Sequence, residues 1–173
     1  MACAGSSPSP SPASRTRTRP LPSVEPKTPP PLADVAARLG VPVRYAAGNG
    51  SAFGFYSLRE NAIVLHTHDA DVFFHELAHA AHRLVRGELK GGQDPTQEIV
   101  AEFSAAVLER LYLPESQQKL RSHVEYIAKY ARVKGRDEAA KKCLSLLAEV
   151  EKVLDVILNA PEAAPACGVA VAA

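Results

Sequence analysis

Residues 73–82 of this 173-residue chain, with the sequence FFHELAHAAH, contain three of its six histidines. The apolar residues around them repeat with a helical period, Asp71 suits the first turn of such a helix, and Gly87 suits its end. In a helix, residues four positions apart lie one above the other, so His75 and His79 project in the same direction. The chain must therefore fold so that one face of this helix accommodates two adjacent imidazole rings.

The spacing His-Glu-x-x-His matches the geometry that a zinc ion requires. Two imidazoles at this spacing can bind one tetrahedral zinc, and Glu76 beside the first can reach a water molecule on the metal. Zinc lowers the pKa of such a water to about 7, and a glutamate can accept its proton during attack on a carbonyl group. The alternative is a packing helix whose histidines bind backbone groups and hold no metal. A third protein ligand would distinguish the two, because catalytic zinc usually has three.

The third ligand is expected on the next predicted helix, residues 95–113. A metzincin would need a glycine where this chain has His82 and a further histidine where it has Val85, so that class is excluded. A gluzincin takes a glutamate from the following helix, and here Glu98 and Glu102 lie four residues apart on or beside a largely apolar surface, where a carboxylate needs a partner. We assign Glu98 as the third ligand and Glu102 as the acceptor of a histidine N–H. The reverse assignment of the two carboxylates remains open.

Composition divides the chain into one domain and two tails. Residues 1–31 hold nine of the fourteen prolines, and their apolar content is too low to offset the entropy of ordering, so we predict a disordered Pro/Ser/Arg-rich tail. A transit peptide is an alternative interpretation of this start. Residues 160–173 are predicted to form a second disordered tail, and residues 32–159 a single domain.

The global properties of the chain exclude several classes of protein. The formal net charge is +1, which indicates no strong field for nucleic acid or an anionic membrane. No apolar run approaches the roughly 20 residues that span a bilayer. The three cysteines are far apart and odd in number, which is typical of a reducing compartment. We therefore expect a cytoplasmic protein that does not interact with membranes.

Hydrophobic patterns predict an α+β domain, with a small sheet of about three strands followed by four helices and the metal site between the first two of these helices. Asp94 is predicted as the N-cap of the second of these helices, Pro95 as its first residue, and Gln97 as the partner in a capping box. A short helix is predicted before the sheet. The predicted strands cover residues 41–47, 52–58 and 62–67, the first two joined by a GNGS turn, and the four helices cover residues 68–87, 95–113, 115–135 and 137–158.

A hydrolytic zinc site also needs a donor for the negative charge that develops on the carbonyl oxygen. His123, Tyr126 and Tyr130 follow the spacing of one helix face, so His123 or Tyr126 is a candidate catalytic residue that points into the cleft. The alternative for the tyrosines is half-buried packing with a solvated hydroxyl. His82 is expected on the helix surface or in support of the site, and not as a metal ligand.

Three segments taken together, FFHELAHAAH, QEIVAEFSAAVL and HVEYIAKY, resemble the zincin-like metallopeptidase domain of plasmid antirestriction proteins of the ArdC type. They are more distantly similar to metallopeptidases of the ImmA/IrrE type. The resemblance covers about residues 32–159. It implies a zinc ion bound by His75, His79 and Glu98, and peptide-bond hydrolysis by zinc-bound water with Glu76 as the general base.

Two functions of different classes are compatible with these features. The first is a zinc-dependent enzyme whose protein or peptide substrate adds as an extended segment to the edge of the sheet. The second is a non-proteolytic antirestriction or DNA-protection module in which zinc is structural, and a structural zinc needs no general base at Glu76. The antirestriction proteins carry an N-terminal domain that binds single-stranded DNA. This chain has a Pro/Ser-rich segment at that position, so nucleic-acid binding is expected only through a missing or separate domain.

Overall fold

The computed structural model describes residues 28–47, 52–132 and 136–160. The two predicted tails, apart from a few residues next to the domain, and the predicted GNGS turn lie outside these described residues. The predicted α+β class is confirmed, because the described part contains a three-stranded sheet and six α-helices. In chain order the elements are α1 (Ala33–Arg38), β1 (Val43–Tyr45), β2 (Gly54–Ser57), β3 (Ala62–Leu65), α2 (Ala70–Arg86), α3 (Pro95–Tyr112), a 3₁₀ turn (Glu115–Gln117), α4 (Leu120–Ala131), α5 (Arg136–Ser145) and α6 (Leu147–Leu158).

The sheet has the strand order β1-β3-β2, so the second strand along the chain lies at one edge. Strand β1 pairs with β3 in parallel, and β2 pairs with β3 in antiparallel fashion. The central strand β3 is the most buried of the three, as expected for a β-branched and apolar segment covered on both sides.

Helix α2 is the centre of the domain. It packs against α3, α6 and the two strands β2 and β3, and Phe73, Phe74 and Leu77 on it are fully buried. Arg83 near its end donates a hydrogen bond of 2.9 Å to the backbone oxygen of Leu58, which ties the end of β2 to the helix. The helix that carries the histidines is therefore held on several sides by the core.

Three of the local signals at the ends of α2 and α3 act as the sequence predicts. Gly87 follows α2 with a φ of 82°, which a residue with a side chain rarely adopts. Asp94 is the N-cap of α3, where it accepts hydrogen bonds from two backbone N–H groups, and Pro95 is the first helical residue. The predicted capping box is wrong, because the Gln97 side chain binds both backbone groups of Lys90 in the preceding loop.

The last predicted helix is divided in two, so the prediction of four helices after the sheet is also wrong in number. The break falls at Leu146, whose φ of −111° and ψ of 2° leave the helical region. Just before it, the Ser145 hydroxyl binds the backbone oxygen of Lys142, a contact that competes with helical hydrogen bonding. The break lets α6 turn Val150 and its apolar neighbours into the core shared with α2. None of the described helices is long and apolar enough to cross a membrane.

Candidate metal centre

The two histidines of the His-Glu-x-x-His segment face each other on one side of α2. The Nε2 atoms of His75 and His79 lie 3.1 Å apart, and both side chains are largely buried. Adjacent unprotonated ring nitrogens repel each other unless a proton or a cation lies between them. This pair is therefore arranged to hold one proton or one cation between its Nε2 atoms.

Glu98 of α3 completes a cluster with the two histidines. Its Oε2 atom lies 3.6 Å from His75 Nε2, and its Oε1 atom lies 3.7 Å from His79 Nε2. Within the part of the chain that the structure describes, these three side chains form a group whose ligand atoms all lie within 4.8 Å of one another. The structure thus brings together the three residues that the sequence predicts as metal ligands.

The spacing of the possible ligand atoms on these three residues can be compared with the geometry that zinc requires. Zinc binds imidazole nitrogen and carboxylate oxygen at about 2.0–2.2 Å, so neighbouring ligand atoms of a tetrahedral site are about 3.3–3.5 Å apart. The distance of 3.1 Å between the two histidine Nε2 atoms, and the distances of 3.6 and 3.7 Å from these atoms to the two oxygens of Glu98, bracket this range. Two neutral imidazoles and one carboxylate would leave a fourth position open. The residues present therefore fit a zinc ion.

Glu102, one turn after Glu98 on α3, binds the other nitrogen of His75. Its Oε2 atom lies 2.8 Å from His75 Nδ1. A proton on Nδ1 that donates to this carboxylate leaves Nε2 free to face Glu98 and His79. This geometry favours Glu98 over Glu102 as the ligand, since Glu102 lies on the far side of the His75 ring.

Electrostatics favours a cation in this cluster. Burial opposes a charged His75, but hydrogen bonds with Glu102 and Glu98 outweigh it and raise its pKa to about 10. Burial, together with the positive charge on His75, lowers the pKa of His79 to about 3. One positive charge on His75 and His79 together therefore neutralises part of the negative charge of Glu98 and Glu102. A metal cation would compete for the same position.

Glu76 is the buried carboxylate next to His75, with only 7% of its surface exposed. Burial raises its pKa to about 7, opposed by the charge on His75 and by a hydrogen bond from the backbone N–H of Tyr56. A carboxylate with this proton affinity can exchange a proton near neutral pH, which is the property required of a general base.

The hydrogen bond to Glu76 comes from the outer edge of the sheet. In an antiparallel ladder, alternate residues face the partner strand. The His66 N–H donates a hydrogen bond of 2.7 Å to the Phe53 oxygen. The backbone groups of Phe53, and of Phe55 two residues later, therefore face β3. The backbone groups of Gly54 and Tyr56 therefore point away from β3. A Cβ atom at Gly54 would lie 2.9 Å from the Val72 side chain, so glycine is needed for the close packing of β2 against α2.

Comparison of the chain with models of known protein families, with curated proteins and with solved structures found no match.

Helix α4 brings Tyr126 to the site. Its hydroxyl donates a hydrogen bond of 2.9 Å to Glu98 Oε2, and its ring packs edge-on against His75 with 5.8 Å between centroids. Burial, the contact with Tyr130 and the charge of Glu98 raise its pKa well above the usual range, so the hydroxyl stays protonated. Tyr126 therefore packs at the site, as one of the two predicted alternatives has it, and its hydroxyl donates to Glu98.

His123, the other catalytic candidate on α4, lies behind the site. Its Nδ1 atom is 2.8 Å from Glu102 Oε1, and its Nε2 atom is 3.0 Å from Glu109 Oε1. The ring is buried, and each nitrogen lies within 3.0 Å of a carboxylate oxygen, so this geometry does not support the predicted role as an oxyanion donor in the cleft. Glu109 was not predicted, although it lies eleven residues after Glu98, three helical turns along the same face.

His82 is also separate from the cluster of His75, His79 and Glu98. It is fully buried, in contrast to the expected surface position, and its Nε2 atom lies 2.8 Å from a carboxylate oxygen of Glu149 on α6. Its structural role is to join α2 to α6.

Proposed function

We propose that this chain is a zinc-dependent metallopeptidase-like protein with a zincin-like site that hydrolyses peptide bonds. The observation that carries the proposal is the position of Glu76. This buried carboxylate follows the first histidine of the cluster, has a pKa of about 7, and is bound to the edge strand. A site that only held a structural metal would have no use for a buried proton acceptor of this kind, because burying an ionisable group is costly.

His75, His79 and Glu98 are the residues that would hold the zinc ion, and Glu102 would orient His75. Zinc supplies Lewis acidity, which activates water and polarises a carbonyl group. Glu76 accepts the proton of the attacking water and returns it to the leaving nitrogen. Its hydrogen bond with the Tyr56 N–H holds the carboxylate beside the strand where a substrate would lie.

The outer edge of β2 is the proposed binding surface for the substrate. The backbone N–H and oxygen of Gly54 point away from β3, so an extended peptide can pair with them by β-augmentation. Phe55 has 46% of its surface exposed, and Phe53 has 73% exposed. These aromatic rings would contact apolar side chains of such a segment.

Tyr126 is the proposed donor to the carbonyl oxygen of the substrate. Its hydroxyl has one proton, which it donates to Glu98, and in the proposed role this donor turns from Glu98 to the carbonyl oxygen when a substrate binds. A protonated donor at this position can stabilise the negative charge that develops during attack. His123 takes no part in this step.

The decisive experiment compares Glu76→Gln with the wild type on a library of peptides, with products detected by mass spectrometry. The glutamine keeps the shape of the side chain and can still accept the Tyr56 bond. Zinc content and melting temperature should therefore stay close to those of the wild type. Hydrolysis should fall by about 10²–10⁴-fold, the usual contribution of general acid–base catalysis. Glu88→Gln, at an exposed residue after α2, is the matched control and should remain active.

The alternative is the non-proteolytic module with a structural zinc. A cellular assay of plasmid protection against restriction distinguishes it, because the physiological substrate need not be present in a peptide library. If Glu76→Gln binds zinc, folds normally and retains full biological activity, the peptidase proposal is wrong and the alternative stands.

A further inference from the structure

A row of buried charged side chains runs from the candidate metal centre into α4. It begins at His75 on α2, passes through Glu102 on α3 to His123 on α4, and returns to Glu109 on α3. Successive members are separated by 2.8, 2.8 and 3.0 Å. Glu102, Glu109 and His123 each have 9% or less of their surface exposed. The row thus joins three helices within the core of the domain.

Glu102 is held from both sides in this row. Its Oε2 atom faces the Nδ1 of His75, and its Oε1 atom faces the Nδ1 of His123. A buried carboxylate needs hydrogen-bond donors, and two donors from different helices determine the plane of the group. With His123 removed, Glu102 would lose one donor and could turn away from His75.

Glu109 links His123 to the start of α4. Its Oε2 atom accepts a hydrogen bond of 2.8 Å from the Lys119 N–H, immediately before the helix. Its Oε1 atom lies 3.0 Å from His123 Nε2, close enough for an ion pair, although the two groups are not aligned as a hydrogen bond. We therefore interpret this contact as electrostatic. A ring that carries a positive charge between Glu102 and Glu109 would compensate two buried negative charges.

We propose that His123 is a positioning residue of the metal centre, which acts through Glu102 to keep the Nε2 atom of His75 directed at Glu98 and His79. It does not contact the substrate. This inference rests on the metal site of the proposed function, but it does not depend on whether the protein cleaves peptides.

The chain offers a matched control for this inference in His82. Like His123, it is a buried histidine with one ring nitrogen 2.8 Å from a glutamate oxygen on a neighbouring helix. Its partner Glu149 belongs to α6 and does not contact the metal cluster. Loss of a buried histidine should destabilise both variants, whereas only the loss of His123 should alter metal binding.

The test measures zinc affinity by competition with a chelator in His123→Gln and His82→Gln. Partners beyond the ligands typically contribute 10–100-fold in metal affinity, so His123→Gln should bind zinc at least about tenfold more weakly. His82→Gln should match the wild type. In a Glu102→Gln background, His123→Gln should cause little further loss, because residues that act through one another are not additive. Equal affinities of His123→Gln and the wild type, or full additivity with Glu102→Gln, would overturn the proposal.

A second readout does not require zinc. The ring N–H proton of His75 that binds Glu102 should give a slowly exchanging downfield resonance in the proton NMR spectrum. This signal should persist in His82→Gln and be lost or broadened in His123→Gln, and its retention in His123→Gln would contradict the inference. If the wild type binds no zinc, the metal proposal fails, and this resonance alone decides the role of His123. Should His123→Gln not fold, Glu109→Gln should weaken the same signal, and an unchanged signal would count against the proposal.

Discussion

Exchange of the two α3 carboxylates for amides tests the ligand assignment most directly. Glu98 has an oxygen 3.6 Å from the Nε2 of His75 and another 3.7 Å from the Nε2 of His79, so Glu98→Gln removes an anionic ligand from the metal. Glu102 lies 2.8 Å from His75 Nδ1, so Glu102→Gln removes only the acceptor that orients one ligand. We predict that Glu98→Gln lowers zinc affinity more than Glu102→Gln.

The expected magnitudes follow from these two positions. Loss of an orienting partner costs 10–100-fold in affinity, which is about 1.4–2.8 kcal/mol. The amide of Glu102→Gln can still accept one of the two histidine N–H bonds, so its effect should lie within this range. Glu98→Gln loses a ligand and its negative charge together, and its zinc affinity should fall by more than about 100-fold, beyond the range of an orienting partner.

The assay is a competition titration with a chelator of known zinc affinity, combined with metal analysis of the purified protein. Glu115→Gln, at a glutamate whose side chain is 85% exposed, is the control for the loss of one negative charge. Urea unfolding of each variant without zinc separates a change in metal affinity from a change in fold. A larger loss of zinc affinity in Glu102→Gln than in Glu98→Gln would refute the assignment of Glu98 as the ligand. Glu102 would then be the ligand and Glu98 the orienting residue.

Three further predictions concern metal and stability. Zinc at 100 times its Kd should stabilise the wild type by about 2.7 kcal/mol and should not stabilise the double variant His75→Ala, His79→Ala. Full zinc occupancy in that double variant would reject the site as described. Iron instead of zinc in the purified wild type would reject it as well. Asp94→Ala should cost about 1 kcal/mol in urea unfolding, the usual contribution of an N-cap. The hydrogen bond from Lys90, opposed by burial, lowers the pKa of Asp94 below its ordinary 3.8. The stabilisation by the charge of Asp94 should therefore be complete at neutral pH and disappear as the pH falls through the folded-state pKa. The alanine variant should lack this acid-dependent loss of stability. Phe73→Ala should cost about 3–5 kcal/mol, since the ring is fully buried, and a loss below about 1 kcal/mol would contradict its place in the core.

Features that depend on neighbouring residues could be predicted from the sequence. The helix around His75 and His79 follows from its hydrophobic period, and their shared direction follows from the geometry of the helix. The start of α3 follows from Asp94 and Pro95, because a cap and a proline act within one turn. The regular spacing of Glu98 and Glu102 likewise placed both carboxylates on one face. Each of these signals acts over a few residues and needs no knowledge of the remaining chain.

The tertiary structure decided which partner each side chain meets. Gln97 binds Lys90 and not its own helix, and the chain leaves the helical conformation at Leu146 so that α6 can reach the core. The ring of His123 lies between Glu102 and Glu109, and helical spacing leaves this position open because several neighbours lie within reach of one face. The strand order β1-β3-β2, which presents the Tyr56 N–H to Glu76, depends on how the sheet packs against α2. The sequence by itself determined the candidate site residues and the local geometry around them. Long-range packing determined which side chains are in contact, because the free energy of those contacts depends on elements far apart in the chain.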